Sequence, residues 1–153
     1  MAAVGEVLAR MRLFAGMAAE DLQQVEKLVF VNRFSAGDVV CREGDHSDFM
    51  CFVVRGRLDI IKRGQDERDV VIAHLHAGDS LGEMALIDHE PRSASALASE
   101  DSTVIVLTRK GFEQLRKRSP QAAHVILMNI ARLLSGNLRR TSAQLAQYML
   151  PLN

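Results

Sequence analysis

Residues 79–96 hold the chain's densest group of side chains fitted for binding chemistry. They read Asp79-Ser80-Leu81-Gly82-Glu83-Met84-Ala85-Leu86, then Arg92-Ser93-Ala94 after a turn through Asp88, His89, Glu90 and Pro91. Arg92 brings a planar, permanently charged fork that matches phosphate oxygens two at a time. Glu83 is an acceptor-only carboxylate, suited to the paired hydroxyls of a ribose. A one-turn helix opening at Gly82 would aim free N–H groups and a positive dipole end at an anion, and glycine lets backbone approach a ligand where a Cβ would block it. Ser93 adds a hydroxyl and a backbone N–H. Types and spacing together predict a cradle for a small anion carrying a sugar. The structural alternatives are a salt bridge from Arg92 to Glu83 or Asp88, and a Glu83 that merely stabilises a helix start. A buried guanidinium without a partner is costly, so Glu83 is expected to pair with Arg92 while the site is empty.

The elements that must position this stretch change character along the chain. Ala3 to Met11 predicts a short helix with Val4, Val7, Leu8 and Met11 on one side, and Ala19 to Val29 a second with Leu22, Val25, Leu28 and Val29 at helical spacing. From Phe30 the pattern becomes short apolar runs: Phe30–Phe34, Val39–Arg42, Phe49–Arg55, Leu58–Lys62, Val70–Leu75, Ser93–Ala98 and Thr103–Leu107. Glycine turns separate most of them, two of which read Ala36-Gly37-Asp38 and Ala77-Gly78-Asp79 and suggest two similar corners. This grammar predicts an α+β fold: an eight-stranded β jelly-roll barrel with N-terminal helices, a short helix at the anion cradle and a long C-terminal helix. One domain of residues 1–153 divides into helices at 1–29, a barrel at 30–108 that includes 79–96, and helices at 109–153.

After the barrel, Arg109–Lys117 predicts a helix resting on Phe112 and Leu115. Pro120 suits the first turn of the next, with Ser119 as its cap, and that helix would run from Gln121 to Tyr148. It carries two stripes: Ile126, Ile130, Leu133 and Asn137 on one side, and Leu127, Ala131, Leu134, Leu138, Thr141, Leu145 and Tyr148 in alternating steps of four and three on another. The second suits a coiled-coil seam, which predicts a homodimer through this helix. Ser135-Gly136 interrupts it, predicting either a hinge or close approach beside a ligand, or a tight helix crossing.

Gly82-Glu83-Met84-Ala85-Leu86 followed by Arg92-Ser93-Ala94 resembles the phosphate-binding cassette of cyclic nucleotide-binding domains, the family of the bacterial catabolite activator, the regulatory subunits of cyclic-AMP-dependent kinase and cyclic-nucleotide-gated channels. Phe49 to Leu58 is similar to the hairpin that precedes the cassette in that family. The resemblance implies a ligand site built from Leu81, Gly82, Glu83, Met84, Ala85, Arg92, Ser93 and Ala94. Arg92 and the N–H groups of Ala85 and Ser93 would hold the cyclic phosphate, and Glu83 the ribose 2′-hydroxyl. Leu133 and Asn137, with Arg140 nearby, would meet the base from the long helix, Asn137 offering one donor and one acceptor. Serine at 93 resembles the catabolite activator, so cAMP is expected ahead of cGMP. The family's transcription factors continue into a helix-turn-helix; this sequence ends at Asn153 without room for one, and DNA binding is not expected. The resemblance thus implies a sensor that couples its ligand to its C-terminal helix and a protein partner. A same-fold interaction module without nucleotide is the alternative.

Composition narrows the rest. Over 153 residues, 48% are hydrophobic and 25% charged with zero formal net charge, an ordinary soluble balance that makes no case for nucleic acid. No acidic residue follows Glu113, while Arg116, Lys117, Arg118, Arg132, Arg139 and Arg140 do, giving either a solvated basic helix or a face toward an anion. Cys41 and Cys51 are expected as buried reduced thiols. No signal peptide or long apolar span appears, which predicts a cytoplasmic protein without membrane attachment. His74 and His76 could share a strand face and hold a metal as in cupins, but no glutamate or distal histidine completes the set. His46 and His89 are expected in solvated turns and His124 on a helix surface. No nucleophile sits beside a base, so no enzyme, metal site or cofactor is expected.

Overall fold

The computed structural model describes residues 3–152. Eight strands follow in order: β1 (Phe30–Phe34), β2 (Val39–Cys41), β3 (Phe49–Arg55), β4 (Leu58–Arg63), β5 (Asp69–Leu75), β6 (Ser80–Leu81), β7 (Ser95–Ala98) and β8 (Ser102–Thr108). They form two four-stranded antiparallel sheets, ordered β1-β8-β3-β6 and β2-β7-β4-β5. The helices are α1 (Val4–Ala9), α2 (Ala19–Glu26), α3 (Arg109–Arg118) and α4 (Pro120–Ala146). This is the α+β jelly roll that the glycine-cut runs predicted.

Side-chain alternation assigns the two faces of the first sheet. Cys51, Val53, Val104 and Val106 point into the barrel against Leu58 and Ala98. Met50, Phe52, Ile105 and Leu107 point outward under the helices, meeting Leu8, Phe14, Val25, Phe112, Leu115 and Ile126. A sheet covered on both faces explains why β3 reads as an unbroken apolar run rather than an alternating one. β5, an edge strand of the second sheet, leaves Val70, Val71 and Ile72 about half exposed.

One turn is used three times, not twice. In Ser35-Ala36-Gly37-Asp38, Arg42-Glu43-Gly44-Asp45 and His76-Ala77-Gly78-Asp79 the aspartate N–H donates to the carbonyl three residues back, at 2.9, 3.1 and 2.9 Å. The aspartate carboxylate accepts from that same residue's N–H, at 2.7, 3.0 and 2.9 Å. The glycines hold φ of +94°, +89° and +95°, the left-handed value this turn demands at its third position. Each turn then exchanges two backbone hydrogen bonds with one residue elsewhere: Ala98, Arg92 and Val53 respectively.

Several boundaries differ from the sequence expectation. α2 stops at Glu26 and α4 at Ala146. β6 is two residues long, too short to carry a period of its own. Pro120 does open α4, but Ser119 does not cap it; its hydroxyl donates to Asp21 Oδ1 at 2.9 Å, tying the start of α4 to α2. A 3-10 turn at Arg12–Phe14 joins the first two helices. On α4 the first stripe is core at Ile126 and Ile130, whereas Leu127, Leu138, Leu145 and Tyr148 of the second are exposed. Every residue from Asn137 to Leu152 is exposed. Among the described residues no helix is long and apolar enough to cross a membrane.

Asn129 is the polar exception in this helical core. Its amide donates to the carbonyls of Leu13 at 2.8 Å and Ala15 at 3.0 Å, fixing the 3-10 turn beneath α4. Asn129→Ala leaves both carbonyls without their donor and is expected to lower stability by about 1–3 kcal/mol, measured as a shift of the urea midpoint at unchanged slope.

Candidate functional site: a cassette arginine beside a helix-capped cavity

Gly82 opens the cassette with φ +81° and ψ 27°, and Glu83–Leu86 follows as a 3-10 turn. The Ala85 N–H donates to the Gly82 carbonyl at 3.0 Å, so it is not the free donor expected. The donors at the open end of the turn are those of Glu83 and Met84. A Cβ at Gly82 would stand 2.0 Å from Arg92 Nη1 and 2.9 Å from the Phe49 carbonyl. Glycine is therefore required here twice, for its dihedral and for the guanidinium beside it.

Arg92 is 9% exposed. Its Nε donates to Ser47 Oγ at 2.6 Å, its Nη2 donates to the Phe49 carbonyl, and its guanidinium carbon lies 4.7 Å from the centre of the Phe49 ring. The backbone is fixed by the second of the three turns: the Arg92 N–H donates to the Asp45 carbonyl at 2.7 Å and its carbonyl accepts from the Gly44 N–H at 2.8 Å. The expected pair with Glu83 does not form. No carboxylate lies within ion-pair distance of Arg92 among the described residues, and Glu83 Oε1 accepts instead from Ser80 Oγ at 2.5 Å. A hydroxyl, a carbonyl and an aromatic face replace the carboxylate, so the positive charge is desolvated but not neutralised.

Glu83 faces a cavity of about 950 Å³ that extends from β5 and β6 to α4. Leu133, Gly136, Asn137 and Arg140 line its helical side, and Arg12, Leu13 and Arg132 close it further. Asn137 and Leu133 thus lie where the base was expected. However, Asn137 Oδ1 accepts from Arg140 Nη2, which leaves the amide NH₂ as its open group. Arg92, Ser93, Ala94, Ala85, Met84 and Leu81 do not line this cavity. Leu81 and Ala94 pack against Cys41, Ile60 and Ala96 inside the barrel, Met84 is 47% exposed, and Ser93 is exposed with its carbonyl accepting from Lys62 Nζ at 2.6 Å. The predicted residues therefore fall into two groups that meet at Gly82: an arginine cradle on one side, and Glu83 with the α4 residues on the other. A second cavity, of about 860 Å³ between the turns around Ala36, Gly56 and Asp101, shares no residue with the first.

Arg12, Ser47, Phe49 and Arg109 carried no sequence signal as site residues. Of the basic residues after Glu113, Arg132 and Arg140 turn to the cavity, Arg116 pairs with Glu113, and Lys117 and Arg118 are exposed. Gly136 meets no crossing helix; the nearest atom to a Cβ there would be Arg140 Nη1 at 3.9 Å. His74 Nδ1 lies 2.7 Å from its cross-strand partner Asp59, while His76 is already in the turn after β5, so the two do not share a strand face. His89 is exposed in a loop, as expected, and there also contacts Arg109. Cys41 and Cys51 are buried and free. Burial pushes both thiols up, Cys51 to about 12, with the Arg92 charge opposing the shift.

The fold thus sets a buried arginine with neutral partners beside a cavity walled by a long helix, within a jelly-roll domain. Residues 31–119, more than half of the chain, match the model of the cyclic nucleotide-binding domain, and the chain belongs to that family. It is 30% identical to the cyclic AMP receptor protein of Thermus thermophilus over 87% of this chain, spanning 60% of that relative's length. A solved cyclic nucleotide-binding domain from Methylobacillus flagellatus superposes with a TM-score of 0.84 at 26% identity, covering 97% of this chain and 84% of that one. The regulatory domain of Toxoplasma gondii PKA, solved with cAMP, superposes with a TM-score of 0.71 at 27% identity, over 84% of this chain and 48% of that one.

The two cassette-side and helix-side glycines should respond oppositely. Gly82→Ala is expected to destabilise the fold by at least about 2 kcal/mol through its strained dihedral and the displaced guanidinium. Gly136→Ala, in open space within a helix, is expected to stabilise it by about 1 kcal/mol. Thermal melts of the two variants beside the parent check both signs. The buried thiols should react slowly with a thiol reagent in the native protein and completely in denaturant, which timed titration measures.

Proposed function

We propose that the protein is a receptor for a cyclic nucleotide, with cAMP favoured over cGMP, and that it is a sensor rather than an enzyme. The observation that carries this reading is the Arg92 guanidinium, buried among neutral partners against a glycine that opens a helical turn. A cyclic phosphate would supply the missing negative charge, held by Arg92 and by the N–H groups of Glu83, Met84 and Ser93. The ribose 2′-hydroxyl would donate to Glu83, which already accepts from a hydroxyl at Ser80. From Glu83 the cavity leads to Leu133, Asn137 and Arg140, which would meet the base. Serine at 93, the name of the Thermus relative and the cAMP in the Toxoplasma structure support cAMP as the natural ligand.

Because α4 forms one wall of the cavity, a nucleotide there would bias the position of this helix. Such a ligand must bind two arrangements unequally to shift between them. The exposed second stripe of α4, through Leu127, Leu138 and Leu145, supports a homodimer seam or a partner surface as the output. The reading assigns no DNA-binding or membrane-binding role.

Calorimetric titration with cAMP, cGMP and linear AMP tests the assignment. The parent should bind cAMP most tightly and linear AMP least. Arg92→Ala should lose about 2–5 kcal/mol of cAMP binding, with a melt of the unliganded variant separating lost affinity from lost fold. Unchanged cAMP affinity in Arg92→Ala would refute the pocket assignment. A folded parent that answers none of the three nucleotides would leave a protein-interaction module as the better reading.

A further inference from the structure

The most heavily engaged side chain near the cassette is one the nucleotide does not need to touch. Arg109, the first residue of α3, is half-buried and has no carboxylate partner among the described residues. Its Nε and Nη2 both donate to the Ala85 carbonyl, at 2.9 and 2.5 Å, and Nη2 also donates to the Asp88 carbonyl. Its Nη1 lies 2.6 Å from His89 Nδ1. A guanidinium has donors only, so the imidazole nitrogen is the acceptor in that contact.

The direction of these bonds matters. Ala85 and Asp88 present their carbonyls at the far end of the 3-10 turn from the free N–H groups of Glu83 and Met84. A cation at the carbonyl end and an anion at the N–H end polarise the same turn in the same sense. Arg109 thus grips from behind the element that would hold a phosphate in front.

The same residue also holds the other wall of the cradle. Its backbone N–H donates to the Asp48 carbonyl at 2.7 Å. Asp48 adjoins Ser47, which accepts from Arg92, and Phe49, whose carbonyl does the same. Side chain and main chain of one residue therefore join the cassette turn and the Arg92 support loop. That joint is the start of α3, which packs on the cassette turn and against α4.

We infer that Arg109 is a positioning residue for the anion site. It sets the distance between the turn's N–H groups and the Arg92 guanidinium, and it links movement of the turn to α3 and so to α4. The inference rests on the cyclic-nucleotide reading above. A lysine at 109 keeps the charge but not the planar fork that serves two carbonyls at once; a methionine keeps neither.

The test compares the parent, Arg109→Lys and Arg109→Met, each with Gln147→Cys labelled by a fluorophore at the exposed end of α4. Three quantities are read: cAMP affinity by calorimetry, melting temperature without ligand, and the label's response at saturating cAMP. Arg109→Lys is expected to melt near the parent temperature, to bind cAMP roughly 10- to 100-fold more weakly, and to show a reduced label response even at saturation. Arg109→Met should weaken binding further, and if it does not fold, Arg109→Lys alone decides. A merely structural role would move the melt and leave the saturated label response intact. A folded Arg109→Lys with parental affinity and parental label response overturns the inference. Lost affinity with a full label response overturns the link to α4. A parent that binds no cyclic nucleotide overturns the functional reading itself, whereas parent-like variants beside a responsive parent overturn this inference alone.

Discussion

A guanidinium removed from water without an opposing carboxylate is the condition around which this fold is built. Desolvating a cation is costly unless its donors are met, and Arg92 meets that demand with the Ser47 hydroxyl, the Phe49 carbonyl and the Phe49 ring face. None of these carries charge. The result is a fully formed positive site that the folded chain leaves electrically open. Its neighbours follow from it: Gly82 is held to glycine by the guanidinium at its back, and the loop from Gly44 to Phe49 exists in its observed path because Arg92 is bonded to it by main chain and side chain alike.

The repeated four-residue turn shows how such placement is achieved with little sequence. A left-handed glycine followed by an aspartate folds the chain back, with the carboxylate accepting from the N–H of the turn's first residue, and leaves one N–H and one carbonyl facing outward. Used at Gly37 and Gly78, the device binds ordinary strand residues, Ala98 and Val53. Used at Gly44, it binds Arg92 itself. A motif that closes barrel corners twice anchors the buried arginine of the candidate site the third time.

Much of the fold was legible because strands and turns are local statements. The glycine punctuation and the apolar runs located seven of the eight strands, and β6 escaped because two residues cannot display a period of two. Arg92, Gly82 and Glu83 were legible by type and spacing. Their mutual arrangement was not: the expectation of a Glu83–Arg92 pair followed from charge alone, while the actual partners, Ser47 and Phe49, lie more than 40 residues upstream. Asn129 reaches Leu13 across 116 residues and Arg109 reaches Ala85 across 24, and such contacts leave no periodic trace in a single sequence. Ser119 looked like a helix cap because serine before proline fits that role, yet a distant aspartate took its hydroxyl. Local rules decide what a side chain can do, and tertiary neighbours decide which option is used.

The projecting end of α4 has a mechanical corollary. Core burial on this helix stops at Ile130, partial packing ends near Gly136, and the residues beyond are exposed, with Asn137 and Arg140 still lining the cavity. At 1.5 Å per residue, the ten helical residues from Asn137 to Ala146 form an arm about 15 Å long. A tilt of about 10° at its root would sweep the tip through an arc of about 3 Å on that geometry. Side-chain adjustments too small to disturb the barrel would thereby be magnified at the tip of the arm. Shortening the arm beyond Arg140 would lower that gain and leave the cavity-lining residues Asn137 and Arg140 in place.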